Sequence, residues 1–210
     1  MSSLVGHALA GLAVYKALER PAGLPSGWPG GLLALGLAVA PDLDVVAAML
    51  WPHAVTHRGP SHSLVAALLL ALVAALPALR QGWPGLARAW PAMFLVAAAH
   101  PLLDCLMAGG PGVPFFWPWS HQAWLSPVQL VPTAYYAHSP AGLWGLLHQT
   151  RSLQGMALEI VMFLPLVLVA VYGRRGYGIL EKELGKTFFF GRPKKKVFPT
   201  PLSKRKGNVV

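Results

Sequence analysis

Three aspartates, Asp42, Asp44 and Asp104, each lie within or against a long apolar run, and no other aspartate occurs in the chain. The first two stand in Ala40-Pro41-Asp42-Leu43-Asp44, and the third closes His100-Pro101-Leu102-Leu103-Asp104. Between them comes His57-Arg58-Gly59-Pro60-Ser61-His62-Ser63. An unpaired Asp deep in a membrane helix costs about 2.5–3.5 kcal/mol on insertion scales. Something must compensate, and a bound metal ion is the obvious candidate. The single cysteine, Cys105, reads as a small packing residue and leaves His and carboxylate as the strong ligands. That donor set suits zinc, as one or two ions, with manganese or iron also compatible. A zinc site with an open position activates water near neutral pH, and two ions suit phosphoester cleavage. Arg58, beside His57, could hold a phosphate or carboxylate oxygen or serve as an ordinary loop cation.

Spacing sets conditions on this chemistry. His100 and Asp104 are four apart and share one helical face, so they can grip one ion. Asp42 and Asp44 are two apart and point about 200° away from each other in a regular helix. Pro41 removes a backbone hydrogen bond and clashes with the preceding turn, which predicts a kink or break just before Asp42. If the backbone unwinds there, both carboxylates can reach one site. If it stays regular, one of them, Asp44, leaves the ligand shell.

The elements that must position these residues are apolar helices. The chain is 55% hydrophobic and 11% charged, with a mean hydropathy of +0.51, so it reads as an integral membrane protein rather than a soluble globule. Five apolar segments are expected: Ser3 to Leu18, with His7 near its start, Gly30 to Trp51, His62 to Leu79, Trp90 to Met107 and Met156 to Tyr172. The first is short for a crossing, and it lacks the charged start and cleavage site of a signal peptide. Ser61 is the expected N-cap of the third. Pro21 to Pro29 and Arg80 to Arg88 read as connections. Glu159 falls in the first turn of the fifth segment, as a candidate additional ligand or as a carboxylate at a helix N-terminus. The long stretch from Gly109 to Arg151 interleaves Phe115, Phe116, Trp117, Trp119, Trp124, Tyr135, Tyr136 and Trp144 with Pro and Gly. Trp and Tyr favour the headgroup level, so this is expected to be an interfacial or re-entrant lid, or simply an interfacial belt.

Charge orients the bundle. Of the 17 Lys and Arg, eleven follow Tyr172, among them Lys194-Lys195-Lys196 and Lys204-Arg205-Lys206. A basic, proline-bearing run after an apolar helix reads as a flexible cytoplasmic tail against anionic lipid headgroups; no specific nucleic-acid partner is expected. With that tail inside, Lys16, Arg20, Arg80 and Arg88 are inside as well, and only Arg58 and Arg151 lie outside. The same alternation gathers His7, Asp42, Asp44, His57, His62, His100, Asp104 and Glu159 on the extracytoplasmic side. Scattered structural polar residues have no reason to co-localise in this way.

An early His, then Pro-Asp-Leu-Asp, His-Arg-Gly-Pro-Ser-His-Ser, His-Pro-Leu-Leu-Asp and Gly-Pro-Gly-Val-Pro-Phe-Phe-Trp-Pro-Trp together resemble the YdjM-like family of membrane-bound metal-dependent hydrolases. One bacterial member is also described as LexA-binding and inner-membrane-associated; no motif carries that interaction to this chain. The resemblance covers about residues 1 to 130. It implies an all-helical membrane protein and the site residues His7, Asp42, Asp44, His57, His62, His100 and Asp104, with Glu159 and the tail outside the matched part.

The resulting expectation is an all-α polytopic membrane helix bundle over residues 1–173, with a basic tail over 174–210. Its site would bind metal through His7, Asp42, His57, His62, His100 and Asp104, with Asp42, Asp44, His62 and Arg58 as the catalytic set. The expected reaction is hydrolysis of an ester or phosphoester, small-molecule or lipid-like, reached from the membrane interface by a metal-activated water. The alternatives are a metal-binding membrane protein or ion transporter without hydrolase activity, and a scaffold that a metal merely stabilises. A transporter needs polar groups continuing to the far side, and Leu32 to Val39 and Leu64 to Leu76 are apolar throughout. The chain lacks the His-Glu-x-x-His of membrane metalloproteases and the Gly-x-Ser-x-Gly nucleophile elbow.

Overall fold

Every regular element among the described residues is helical, as the apolar runs require. The computed structural model describes residues 3–51, 53, 55, 57–106, 110–130, 142, 144, 145 and 148–173; the basic tail lies outside them. Helix α1 runs over Leu4–Leu18. Ser3 caps it, its hydroxyl accepting from the Gly6 N–H at 3.2 Å. Helix α2 covers Gly27–Val39. It ends where Pro41 removes an N–H: the chain tightens into a 3-10 turn at Ala40–Asp42 and resumes as α3, Leu43–Leu50. The break predicted from Pro41 is therefore present, as a rewound turn.

Helix α4 covers Leu64–Ala75 and passes into a 3-10 stretch, Leu76–Gln81. Its N-cap is Ser63, whose hydroxyl accepts from the Ala66 N–H at 3.1 Å. Ser61, the expected cap, lies in a separate 3-10 turn over Pro60–His62. The apolar run begins right after Ser63, so the later serine is the one that meets the orphan N–H groups of the first turn. The expected connection from Arg80 to Arg88 also shrinks. Gly82, at φ +75°, turns the chain, and α5 starts at Trp83 and runs to Cys105. Pro84 sits in its first turn, where a missing N–H is harmless. At 23 residues this helix is about 34 Å long. Helix α6, Thr150–Leu168, ends in a wider-wound turn at Val169–Gly173. It begins well before Met156, so Glu159 lies mid-helix and cannot serve a helix N-terminus.

Four stretches, Gly27–Leu50, Leu64–Gln81, Trp83–Cys105 and Thr150–Gly173, are long and apolar enough to cross a membrane, and α1 is a shorter apolar helix. Helix α5 is the hub, packed against α1, α2 and α4, while α1 also packs against α2 and α6. The shared core is built largely of small residues: Ala67, Ala71 and Ala75 on α4 face Ala89, Met93, Val96 and Ala97 on α5. Side chains of this size let helices approach closely where burial of apolar surface gives no drive in lipid. Gly11 takes this furthest, since a Cβ there would collide with that of Ala38. Large apolar side chains point outward instead, among them Leu32, Leu69, Val73, Leu95, Leu102, Val161 and Leu166, as a lipid-facing surface demands.

The aromatic stretch is described over 110–130. It folds back on itself through an antiparallel bridge between Val113 and Trp124, and its Trp117–Pro118 peptide is cis. It is tied to helix ends: the Phe115 carbonyl accepts from Leu64 N–H at 3.0 Å, Ser126 N–H donates to the Cys105 carbonyl at 2.9 Å, and Leu130 N–H to that of Leu106 at 3.0 Å. It thus laces across the start of α4 and the end of α5, with Phe116, Trp119 and Trp124 exposed. Tyr135 and Tyr136 lie outside the described residues.

A candidate metal centre at the ends of four helices

His7 enters from the second turn of α1, Asp42 from the Pro41 turn, His62 from the 3-10 turn ahead of α4, and His100 and Asp104 from successive turns of α5. These residues, with Asp44 and Arg58, are all buried. Three overlapping trios, His7/Asp42/His100, Asp42/His57/His62 and His62/His100/Asp104, each offer one ligand atom per residue with all three atoms within 4.8 Å of one another. Residues separated by nearly a hundred positions of chain thus converge on one point.

Individual contacts show how the donors are aimed. The His100 Nδ1 lies 2.7 Å from the Ala38 carbonyl, which can only accept. His100 therefore carries its proton on Nδ1 and turns the Nε2 lone pair into the cluster. That Nε2 is 3.1 Å from His62 Nε2, 3.5 Å from Asp42 Oδ1 and 4.0 Å from Asp104 Oδ2. The His7 ring stacks on that of His100, centroids 3.6 Å apart, with its Nε2 3.4 Å from Asp104 Oδ1. Among the described residues neither His7 nitrogen makes a hydrogen bond, and nor does Asp42 Oδ1. Buried polar atoms are seldom left this way, because each forfeits about 1–3 kcal/mol of lost hydration. The His7 imidazole, which offers one lone-pair nitrogen when neutral, and the Asp42 carboxylate oxygen lie in one cluster and are donors of the kind a divalent cation takes up. The residues present fit a metal.

His62 sits at the crossing of the carboxylates. Its Nε2 is 3.4 Å from Asp104 and 3.6 Å from Asp42, and its Nδ1 is 3.2 Å from Asp44. Burial disfavours its charged form, yet the carboxylates of Asp104, Asp42 and Asp44 outweigh that and push its pKa up to about 10. Negative charge is in excess around this ring, an environment that favours a cation.

Asp44 plays a different part and belongs to none of the three trios. One oxygen pairs with His57 Nδ1 at 2.6 Å; the other accepts from the Ser61 hydroxyl at 2.6 Å and the Arg58 N–H at 3.2 Å. Ser61 also lies 3.0 Å from His62 Nδ1. Asp44 therefore anchors the whole His57–His62 loop, a carboxylate behind two imidazoles. The helix is broken at Pro41, yet the turn tightens rather than unwinds, so the two carboxylates do not reach one site as a break was expected to allow: Asp42 stands in the donor trios and Asp44 among the groups behind them. Arg58, at φ +59°, places its guanidinium Nη2 3.0 Å from Asp104 Oδ1. Among the described residues Glu159 is in none of the donor groups. Its carboxylate accepts from the Ser3 N–H at 2.9 Å and from the Ser3 hydroxyl, tying α6 to the start of α1.

Two positioning groups, the Ala38 carbonyl and the Ser61 hydroxyl, were not among the residues expected at the site. The Ala38 carbonyl leaves no side-chain signal. Ser61 did have one, since it is the residue next to His62 and is followed by a second serine better placed to cap.

The sequence profile described as YdjM inner membrane protein matches residues 1–177. The chain belongs to the YdjM family. The match runs past the motifs of the first 130 residues and takes in α6. Among curated proteins, this YdjM-family chain is 31% identical over 144 residues to the inner membrane protein YbcI of Escherichia coli strain K12, covering 66% of this chain and 80% of the relative. No solved structure matches.

Proposed function

We propose that this YdjM-family protein is a membrane-bound, metal-dependent hydrolase of an ester or phosphoester, small or lipid-like. The observation that carries the reading is the convergence of His7, Asp42, His62, His100 and Asp104, with both His7 nitrogens and Asp42 Oδ1 making no hydrogen bond among the described residues. These residues, with His57, would hold one or two divalent ions, zinc first, manganese or iron next. A bound ion supplies Lewis acidity and a water acidic enough to ionise near neutral pH. The chain's own part is positioning. Ala38 fixes the His100 tautomer, Asp44 holds His57, His62 and Ser61, and Arg58 sets Asp104. Away from the cluster the shared core is Ala, Leu, Met and Val with Tyr15, whose hydroxyl is taken up by the Pro25 carbonyl at 2.7 Å, which supports a one-sided site over an ion path.

The arrangement of charged residues supports a cytoplasmic C-terminal tail against anionic lipid and a site opening to the extracytoplasmic side. A reporter active only in the cytoplasm, fused after Val210, checks this orientation: an inactive fusion reverses it. Elemental analysis of purified protein with an esterase and phosphatase screen tests the activity. Stoichiometric metal and turnover, both lost in Asp42→Ala and His100→Ala, are expected. Protein without metal, whose variants match it in stability and activity, would end the proposal.

A further inference from the structure

Arg58 is a buried cation whose hydrogen-bonding capacity is largely unused. Its side chain has no solvent exposure. Nη2 donates to Asp104 Oδ1 at 3.0 Å, while Nε and Nη1 have no hydrogen-bond partner among the described residues. The backbone around it is committed to this placement. Arg58 itself adopts a left-handed conformation, uncommon for a residue with a side chain, and is held there by the bond from its N–H to Asp44. Gly110, at φ +103°, passes so near that a Cβ on it would come within 2.5 Å of Nη1. A guanidinium is planar and always charged, and its N–H groups match the oxygens of phosphate and carboxylate. Leaving two of its nitrogens buried without acceptors is costly unless an acceptor arrives from outside.

Resting on the hydrolase reading above, we infer that Arg58 is the anion subsite of this centre and that the substrate carries a phosphoryl group, whose oxygens complete the Nε and Nη1 hydrogen bonds. Asp104 links the two halves of the site: one oxygen meets Arg58, the other faces His62 and His100. A phosphoryl group seated on Arg58 therefore lies one carboxylate away from the metal donors. A phosphoryl group has several non-bridging oxygens to share between the guanidinium and the donor cluster, whereas a neutral carboxylic ester offers Arg58 no anionic oxygen.

The test uses the full chain in detergent with inorganic phosphate as the probe. Calorimetric titration is performed on wild type, Arg58→Lys and Arg58→Gln, and metal content is measured on the same samples. Wild type is expected to bind phosphate, Arg58→Lys to weaken it about tenfold or more through loss of the planar fork, and Arg58→Gln further, each affinity being read on protein loaded to the same metal content because Arg58 also pairs with Asp104. Equal phosphate affinity in all three at unchanged metal content overturns the inference while leaving the hydrolase reading intact. Loss of metal from wild type counts against the hydrolase reading, and the dependence of phosphate binding on Arg58 is still read. Should both variants fail to fold, solid-state NMR of wild type labelled with 15N-arginine decides: one equivalent of bound phosphate must dephase a guanidinium signal through 31P–15N coupling, and no dephasing overturns the assignment. Competition separates the sources of the phosphoryl group. Displacement of phosphate by glycerol phosphate points to a soluble ester and displacement by phosphatidic acid in mixed micelles to a lipid headgroup. Either supports the inference, and displacement by neither overturns the substrate class.

Discussion

At the scale of single residues, Asp42 and Asp44 divide the labour. Asp42 presents Oδ1, without a hydrogen bond, to His62 and His100, whereas both Asp44 oxygens are engaged with His57, Ser61 and the Arg58 N–H. Loss of a donor and loss of the group behind a donor differ in size. Asp44→Asn is expected to weaken metal affinity about 10–100-fold, and Asp42→Asn to remove stoichiometric metal altogether. Competition against a metal indicator measures both, and equal losses would contradict the division. The division could be framed from sequence alone, because residues two apart on a helix cannot share a face. Which carboxylate went where depended on how far the chain rewinds at Pro41, and that is set by packing around the turn.

At the scale of elements, helix starts and close approaches place the donors. Ser63 and Ser61 are near neighbours with separate duties, one capping α4 and the other holding Asp44. Ser63→Ala is expected to lower stability by about 1 kcal/mol with metal retained. Ser61→Ala should instead lower metal affinity with a smaller change in melting temperature, and thermal denaturation beside metal titration separates the two. Gly11 allows α1 to lie against α2 at Ala38, the residue whose carbonyl orients His100. Gly11→Val should therefore cost about 1–3 kcal/mol by overpacking and reduce metal content together with stability. Intact metal binding in a destabilised Gly11→Val protein would uncouple that contact from the site. The long helices were evident from hydropathy. Their starts at Trp83 and Thr150 were not, because Arg88 and Arg151 look like loop residues until neighbouring helices supply the packing.

For the whole molecule, a metal would join α1, the Pro41 turn, the His62 turn and α5 at one end of the bundle. A ligand that binds only the folded state stabilises it by mass action, about 2.7 kcal/mol when present at a hundredfold its dissociation constant. Chelation is expected to lower the melting temperature of wild type and to leave that of Asp42→Asn unchanged. A chelator that shifts neither would remove the metal from the stability of the fold. Glu159 joins the bundle differently, through Ser3, and lies outside this coupling.

The sequence by itself determined that the chain is an apolar helical bundle, that Pro41 interrupts its second helix, and that a few ionisable residues stand in apolar runs where their charge must be compensated. Those are local facts of composition and periodicity, governed by the energy of charge in hydrocarbon and by backbone sterics. Only the tertiary structure decided that His7 stacks on His100, that Asp44 and Ser61 stand behind the donors, that Glu159 clasps Ser3, and that Arg58 is buried with nitrogens still to be satisfied. Each depends on the rotation and close approach of separate helices, which small Ala and Gly side chains permit without encoding in any one segment.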